Sequence, residues 1–226
     1  MKKRAAGRQR TGGEIVVDAL SIHGIDTVFS VPGESFLGVL DALHGRNDIR
    51  VITCRHEGGA VHMASAYARV TGKPGVIFVS RGPGACHATI GLHNAQEDST
   101  PLVLLVGQVP RYQEYRDPIQ EMDYRKFLAP LCKWVVQVER PDRIPELMKQ
   151  AFQRACAGRA GPVAVALPED MQTERTAVAD TGPYIAVEPG AEPRVLREMQ
   201  ALLAKAKRPF VIAGGGGWTP AAAADL

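Results

Sequence analysis

Apolar residues fall along the chain in short continuous runs separated by helical stretches. TVFSV leads to FLGVLDALHG, RVITC to GAVHMASAYARVTG, and GVIFVS to GACHATIGLHNAQ. PLVLLVG, WVVQV and PVAVALP follow, with a helix expected across PDRIPELMKQAFQRACAG. Runs without polar alternation are the pattern of strands buried on both faces, and so of a parallel sheet covered by helices. The pattern predicts an α/β fold, a doubly wound and mostly parallel sheet with helices on both faces, over residues 12–172. Residues 173–193, rich in Thr, Ala, Gly, Pro and Glu, read as a linker. EPRVLREMQALLAKAK then predicts a helix and PFVIA a strand, so that residues 194–226 begin a second Rossmann-like domain. One strand with two helices cannot bury a core of its own, and a continuation past Leu226 is expected.

Composition narrows the class of function. With 45% hydrophobic and 23% charged residues, the chain has the make-up of an ordinary soluble globular protein. The net charge of +3 is carried by the first ten residues, MKKRAAGRQR, whose five basic side chains leave the remainder slightly acidic. Residues 1–11 are expected to form a disordered basic tail, and neither nucleic acid nor membrane is expected as a partner. The tail precedes no apolar h-region and no run is long enough to span a bilayer, so a cytoplasmic protein is predicted. Cys54, Cys86, Cys132 and Cys156 are widely spaced, without the C-x-x-C of a zinc site or a disulfide framework.

Candidate chemistry gathers where strands end. VPGES follows TVFS, RHEGG follows VITC, and RGPGACH follows VIFVS. Carboxyl ends of strands are where open α/β sheets place their ligands, so the three turns can share one crevice. Each turn by itself also reads as simple backbone punctuation, since glycine pairs permit tight turns. Glu57 distinguishes the set, because a carboxylate at a helix start in a crevice suits proton exchange with a ring nitrogen. Its alternatives are pairing with Arg55 or capping the helix. His56 is expected to alternate with Glu57 across a strand, so that at most one of them faces the crevice. Cys86 and His87, adjacent on a helix start, diverge too far to form a nucleophile–base pair. His62 and His93 read as packed or solvated helix residues. Glycines 214–217 miss the G-x-G-x-x-G register, because Thr219 stands where the last glycine belongs.

Together, RHEGGAVHMASAYARVTGKPGV, SRGPGACHA, DSTPLVLLVGQVP and GPVAVALPED resemble the amino-terminal, pyrimidine-binding domain of thiamine-diphosphate-dependent enzymes, closest to the acetolactate synthase-like decarboxylases and carboligases. The resemblance covers about residues 12–172. It implies that Glu57 hydrogen-bonds the cofactor's pyrimidine nitrogen and favours the imino tautomer that deprotonates the thiazolium carbon. It further implies that Pro32, Gly33, Glu34, Ser80, Pro83, Gly84 and His87 lie against thiamine diphosphate and that Gln120 lines the approach of a 2-oxo acid. Mg2+ and the diphosphate would be held by a carboxyl-terminal domain of a partner subunit through a GDG motif, which this chain lacks. The active enzyme would then be a homo-oligomer, at least a dimer, with FAD a further possible cofactor, and this stretch alone would be inactive.

The chain departs from acetolactate synthases near that site. Gly33-Glu34-Ser35 stands for Gly-Gly-Ala, His87 for Asn, Ile119 for Phe and Glu169 for Lys. The added carboxylates Glu34 and Glu169 are expected to disfavour an anionic substrate. Two other readings stay open at this point. One is a flavodoxin-like flavin or nucleotide carrier with phosphate at the GPG helix start. The other is a non-catalytic interaction subunit of the same fold.

Overall fold

A computed structural model describes residues 8–187, 190–215 and 218–226. It divides into two units, Met1–Ala186 and Val187–Leu226. The first is built on a six-stranded sheet in the order β3-β2-β4-β5-β7-β6. Its strands are β2 (Thr27–Ser30), β3 (Arg50–Thr53), β4 (Gly75–Val79), β5 (Leu102–Gln108), β6 (Trp134–Gln137) and β7 (Pro162–Pro168), and every neighbouring pair is parallel. The doubly wound α/β class expected from the continuous apolar runs is the class observed.

Alternate residues of the central strands feed two cores. Val76, Phe78, Val103, Leu105, Val163 and Val165 face one, with α1 (Gly12–Ile22), α2 (Leu37–Leu43) and α6 (Ile144–Cys156) above them. Ile77, Val79, Leu102, Leu104, Ala164 and Ala166 face the other, covered by α3 (Glu57–Thr71), α4 (Gly82–Glu97) and α5 (Tyr124–Leu128). The small residues of α3 and α4 are there for close approach. A Cβ on Gly91 of α4 would lie 2.6 Å from the Val61 side chain of α3, so nothing larger fits at that crossing. α3 ends at Gly72, whose φ of 71° is the left-handed conformation glycine adopts without strain.

Two expectations about chain organisation differ from what is seen. Within the segment read as a solvated tail, β1 (Gln9–Thr11) forms a strand, whereas residues 1–7 of that tail lie outside the described residues. Its partner is β8 (Arg175–Ala177), antiparallel, in the segment read as linker just beyond α7 (Glu169–Thr173). Buried Arg10 fastens the pair, donating to Asp18 (2.7 Å), to Asp180 (2.7 Å) and to the Val178 carbonyl (3.0 Å). A basic residue that reads as solvated in sequence is here neutralised from both sides. Thr11 and Glu14 then start α1 with a reciprocal capping box.

The second unit contains α8 (Pro193–Lys205) and α9 (Pro220–Asp225). The strand expected at PFVIA is absent: residues 209–213 have no regular structure, and Phe210, Val211 and Ile212 are exposed. A strand needs neighbours for its backbone hydrogen bonds, and no other strand is described in this unit. Of glycines 214–217, residues 216 and 217 lie outside the described residues.

Candidate cofactor site

Strand addition changes direction at β2: β3 lies on one side of it, and β4 begins the run on the other. Helices on either side of such a switch diverge, and a crevice opens at the carboxyl ends of the two strands. The turns after β2, β3 and β4 all leave the sheet there.

Glu57 opens α3, and the helix is capped by His56, whose Nδ1 accepts the Gly58 N–H at 3.1 Å. The Glu57 side chain is 12% exposed and reaches across to α4. Its Oε2 lies 2.9 Å from His87 Nδ1, and its Oε1 lies 3.5 Å from the position a Cβ on Gly84 would take. No other hydrogen bond to Glu57 occurs among the described residues, so Oε1 keeps its lone pairs for a ligand. The pairing with Arg55 weighed from sequence does not form, and the helix cap is His56 rather than Glu57. The expected alternation of His56 and Glu57 is likewise corrected. Because the helix already begins at Glu57, both residues meet His87, with the His56 and His87 rings stacked at 4.9 Å and 26°.

The other turns join this centre by contact. A Cβ on Gly84 would lie 3.6 Å from the Ser80 Cβ, and one on Gly33 would lie 2.7 Å from that same atom, closer than a side chain allows. Ser80 Oγ is 3.2 Å from Ser35 Oγ. Gly33, Ser80, Gly84, Glu57 and His87 are therefore contiguous. Gln120 enters through its backbone, its carbonyl accepting the Gly82 N–H at 3.2 Å. It sits at φ 65°, and Tyr115 and Asp117 nearby also have positive φ, a conformation that costs a non-glycine residue energy and concentrates at functional loops. Pro32 and Pro83 are exposed on their turns. Glu34 is exposed in the short turn Glu34–Phe36 and makes no ion pair among the described residues, so its carboxylate is not brought to the others by any bond. His62 and His93 are exposed.

Glu169 does not stand alone. Arg81, the buried residue before Gly82, donates to Glu169 Oε2 at 2.5 Å. The expectation of two uncompensated carboxylates near the site is thereby reduced to one, because the guanidinium neutralises Glu169. Sequence reasoning passed over Arg81, although a cation preceding the GPG turn was visible; its partner is 88 residues away. Arg81 Nε and Ser30 Oγ are buried without a partner among the described residues. Farther along the same sheet edge, a cavity of about 440 Å3 lies between residues 114–126 and β6, lined by Gln108, Glu114, Gln137 and Glu139. Burial pushes the Glu114 carboxyl above its ordinary range, with Glu139 and Glu121 adding to the shift and the Gln137 amide opposing it. Glu57 does not line this cavity.

The family model described as the thiamine pyrophosphate enzyme, N-terminal TPP binding domain, matches residues 10–127. The chain is 36% identical over 220 residues to the acetolactate synthase large subunit of Lactococcus lactis subsp. lactis, covering 96% of this chain and 38% of that protein. It is 39% identical over 216 residues to the acetolactate synthase isozyme 3 large subunit of Escherichia coli, with 92% and 38% covered. Against the mitochondrial acetolactate synthase catalytic subunit of Aspergillus candidus it is 42% identical over 162 residues, with 72% and 23% covered. The chain thus spans less than two fifths of the length of these relatives.

Proposed function

Since the chain belongs to the thiamine pyrophosphate enzyme family through its N-terminal TPP binding domain, we propose that it is the pyrimidine-binding part of an acetolactate synthase-like enzyme acting on 2-oxo acids, with Glu57 activating the cofactor. The observation that carries this reading is the Glu57 carboxylate at the strand switch, held on Oε2 and free on Oε1. The crevice fits the pyrimidine half of thiamine diphosphate in its donor set, because a carboxylate oxygen without a hydrogen-bond partner matches a ring nitrogen that carries a proton. The close contact of Gly33 with Ser80 keeps side-chain atoms out of the crevice wall. When bound, the cofactor supplies a carbon nucleophile for 2-oxo acids. The chain's own part is to hold and move one proton at Glu57 Oε1, to orient the ring between the turns bearing Gly33 and Gly84, and to present Gln120 beside the start of α4.

The remaining roles follow in the same reading. Pro32, Gly33, Glu34, Ser80, Pro83, Gly84 and His87 line the cofactor and Gln120 the substrate approach. Residues 12–172 act as the cofactor-binding domain and 194–226 as the beginning of a central domain. Mg2+, FAD where it is used, and a partner subunit complete the enzyme outside this stretch. A small-molecule enzyme of the cytoplasm is part of the same proposal; no helix among the described residues is long and apolar enough to cross a membrane.

Replacing Glu57 by Gln in the full-length protein tests the assignment. An amide cannot trade a proton with the ring, so exchange of the cofactor's C2 proton, followed by NMR, should fall by about 10²- to 10⁴-fold. The melting temperature should stay near that of the unmodified protein. Exchange at the unmodified rate would remove Glu57 from this role.

A further inference from the structure

The contact that holds Glu57 Oε2 also opens a route from the crevice to solvent. His87 Nδ1 lies 2.9 Å from Glu57 Oε2, and the imidazole is 56% exposed. A ring nitrogen facing a carboxylate is the donor, so neutral His87 carries its proton on Nδ1 and leaves Nε2 as an acceptor. His56, stacked on this ring, is in the opposite state. Its Nδ1 accepts the Gly58 N–H, which assigns its own proton to Nε2 and makes a second proton cost that bond. Of the two stacked rings, only His87 can take an added proton without giving up its present hydrogen bond.

Resting on the assignment of Glu57 above, we propose that His87 is a positioning and proton-relaying residue for Glu57, holding Oε2 so that Oε1 faces the ligand and connecting the carboxylate to solvent. In the relay, a solvent acid gives a proton to His87 Nε2. The Nδ1–H bond breaks and an O–H bond forms at Glu57 Oε2. The imidazole ends neutral, as its other tautomer, and the carboxylate ends as the neutral acid; the reverse sequence returns the proton to water. Glu57 by itself is only 12% exposed, and a closed crevice would slow its equilibration with solvent. The two oxygens thus divide the work, one toward the ligand and one toward the relay.

The test uses full-length protein with thiamine diphosphate and Mg2+ at one fixed pH, comparing the unmodified form with His87→Ala and His87→Gln. Exchange of the cofactor's C2 proton should slow by about 10- to 100-fold in His87→Ala. Free imidazole should restore it, because the exposed position leaves room for the added ring. His87→Gln keeps a donor for Oε2 but cannot pass a proton, so it should stay slow while melting like the unmodified protein. In cofactor-free protein labelled with 15N-histidine, the His87 Nδ1–H resonance should shift when Glu57 is replaced by Gln. Exchange within about twofold of the unmodified rate in either His87 variant would overturn the relay. Slow exchange in His87→Ala that imidazole fails to restore would also overturn it, and so would a His87 resonance indifferent to Glu57. Failure of the unmodified protein to exchange at all would instead overturn the reading of Glu57, and the cofactor-free spectrum would still judge the contact.

Discussion

Helices α6 and α8 are both thirteen residues long and both carry an apolar stripe, yet they end in opposite environments. In α6, Ile144, Leu147, Met148, Ala151, Phe152 and Ala155 recur at helical spacing and all are buried against the sheet. In α8, Val195, Leu196, Met199, Leu202 and Leu203 recur just as regularly, and every one is exposed. α8 is held by local terms: Glu192 accepts the Arg194 and Val195 N–H groups, and Arg194 pairs with Glu198 one turn on. Such terms contribute tenths of a kcal/mol to about 2 kcal/mol each. An amphipathic pattern therefore specifies a helix and a face, while the energy of that face depends on a sheet to receive it.

The largest loss is expected from truncating the biggest side chain of the packed stripe. Phe152 is fully buried, stacks on Tyr184 and meets the His23 ring at a tilt of 42°. Phe152→Ala should cost about 3–5 kcal/mol, since the lost burial and the remaining cavity add. Denaturant unfolding measures it. A loss under about 1 kcal/mol would mean that the α6 face is no better packed than that of α8.

That contrast also explains what could be read from sequence. The sheet was legible because β4, β5 and β7 are continuously apolar, a signature only two-sided burial requires. The turn holding Glu57 was legible because strand ends and glycines locate it. β1 and β8 were not, since QRT and RTA are short and polar, and their pairing depends on Arg10 meeting Asp18 and Asp180 through the fold. PFVIA misled for the converse reason: its residues favour a strand, but a strand exists only with a neighbour. Glu57 and His87 were already paired at one site by the resemblance, whereas the place of His56 beside them was hidden by a boundary error, because the helix starts at Glu57 and turns both His56 and Glu57 toward His87. Arg81 with Glu169 was hidden by distance along the chain.

A second, smaller effect separates the two helices by pH. His23 lies against Phe152 with ring centroids 4.7 Å apart, and its Nδ1 accepts the Tyr184 N–H at 3.0 Å. Burial, reinforced by Lys149, lowers its pKa from 6.5 to about 4. His23 is neutral in both folded and unfolded protein well above pH 6.5, so its contribution is intact there. As pH falls from 6.5 toward 4 the unfolded chain takes up a proton that the folded one refuses, and stability declines by at most about 1.4 kcal/mol per pH unit. Below about 4 both forms are protonated and the decline from this group stops. Unfolding measured between pH 7 and 4 should show this slope, and His23→Asn should flatten it. An unchanged slope in that variant would assign the acid sensitivity to other groups.

The smallest expected effect belongs to α8. Leu202 is 72% exposed, so truncating it removes little buried area and leaves no cavity. Alanine also has a slightly higher helix propensity than leucine, which offsets part of any loss. Leu202→Ala in the 226-residue chain should therefore change stability by no more than about 0.5 kcal/mol, and helicity by circular dichroism should hold or rise slightly. In any longer chain whose added residues bury the α8 face, the same substitution should cost about 2–5 kcal/mol, as for any buried leucine. The pair of measurements separates the two sources of helix stability within one residue. A large loss in the 226-residue chain would show that α8 packs in solution, and the difference between the two helices would then be one of degree.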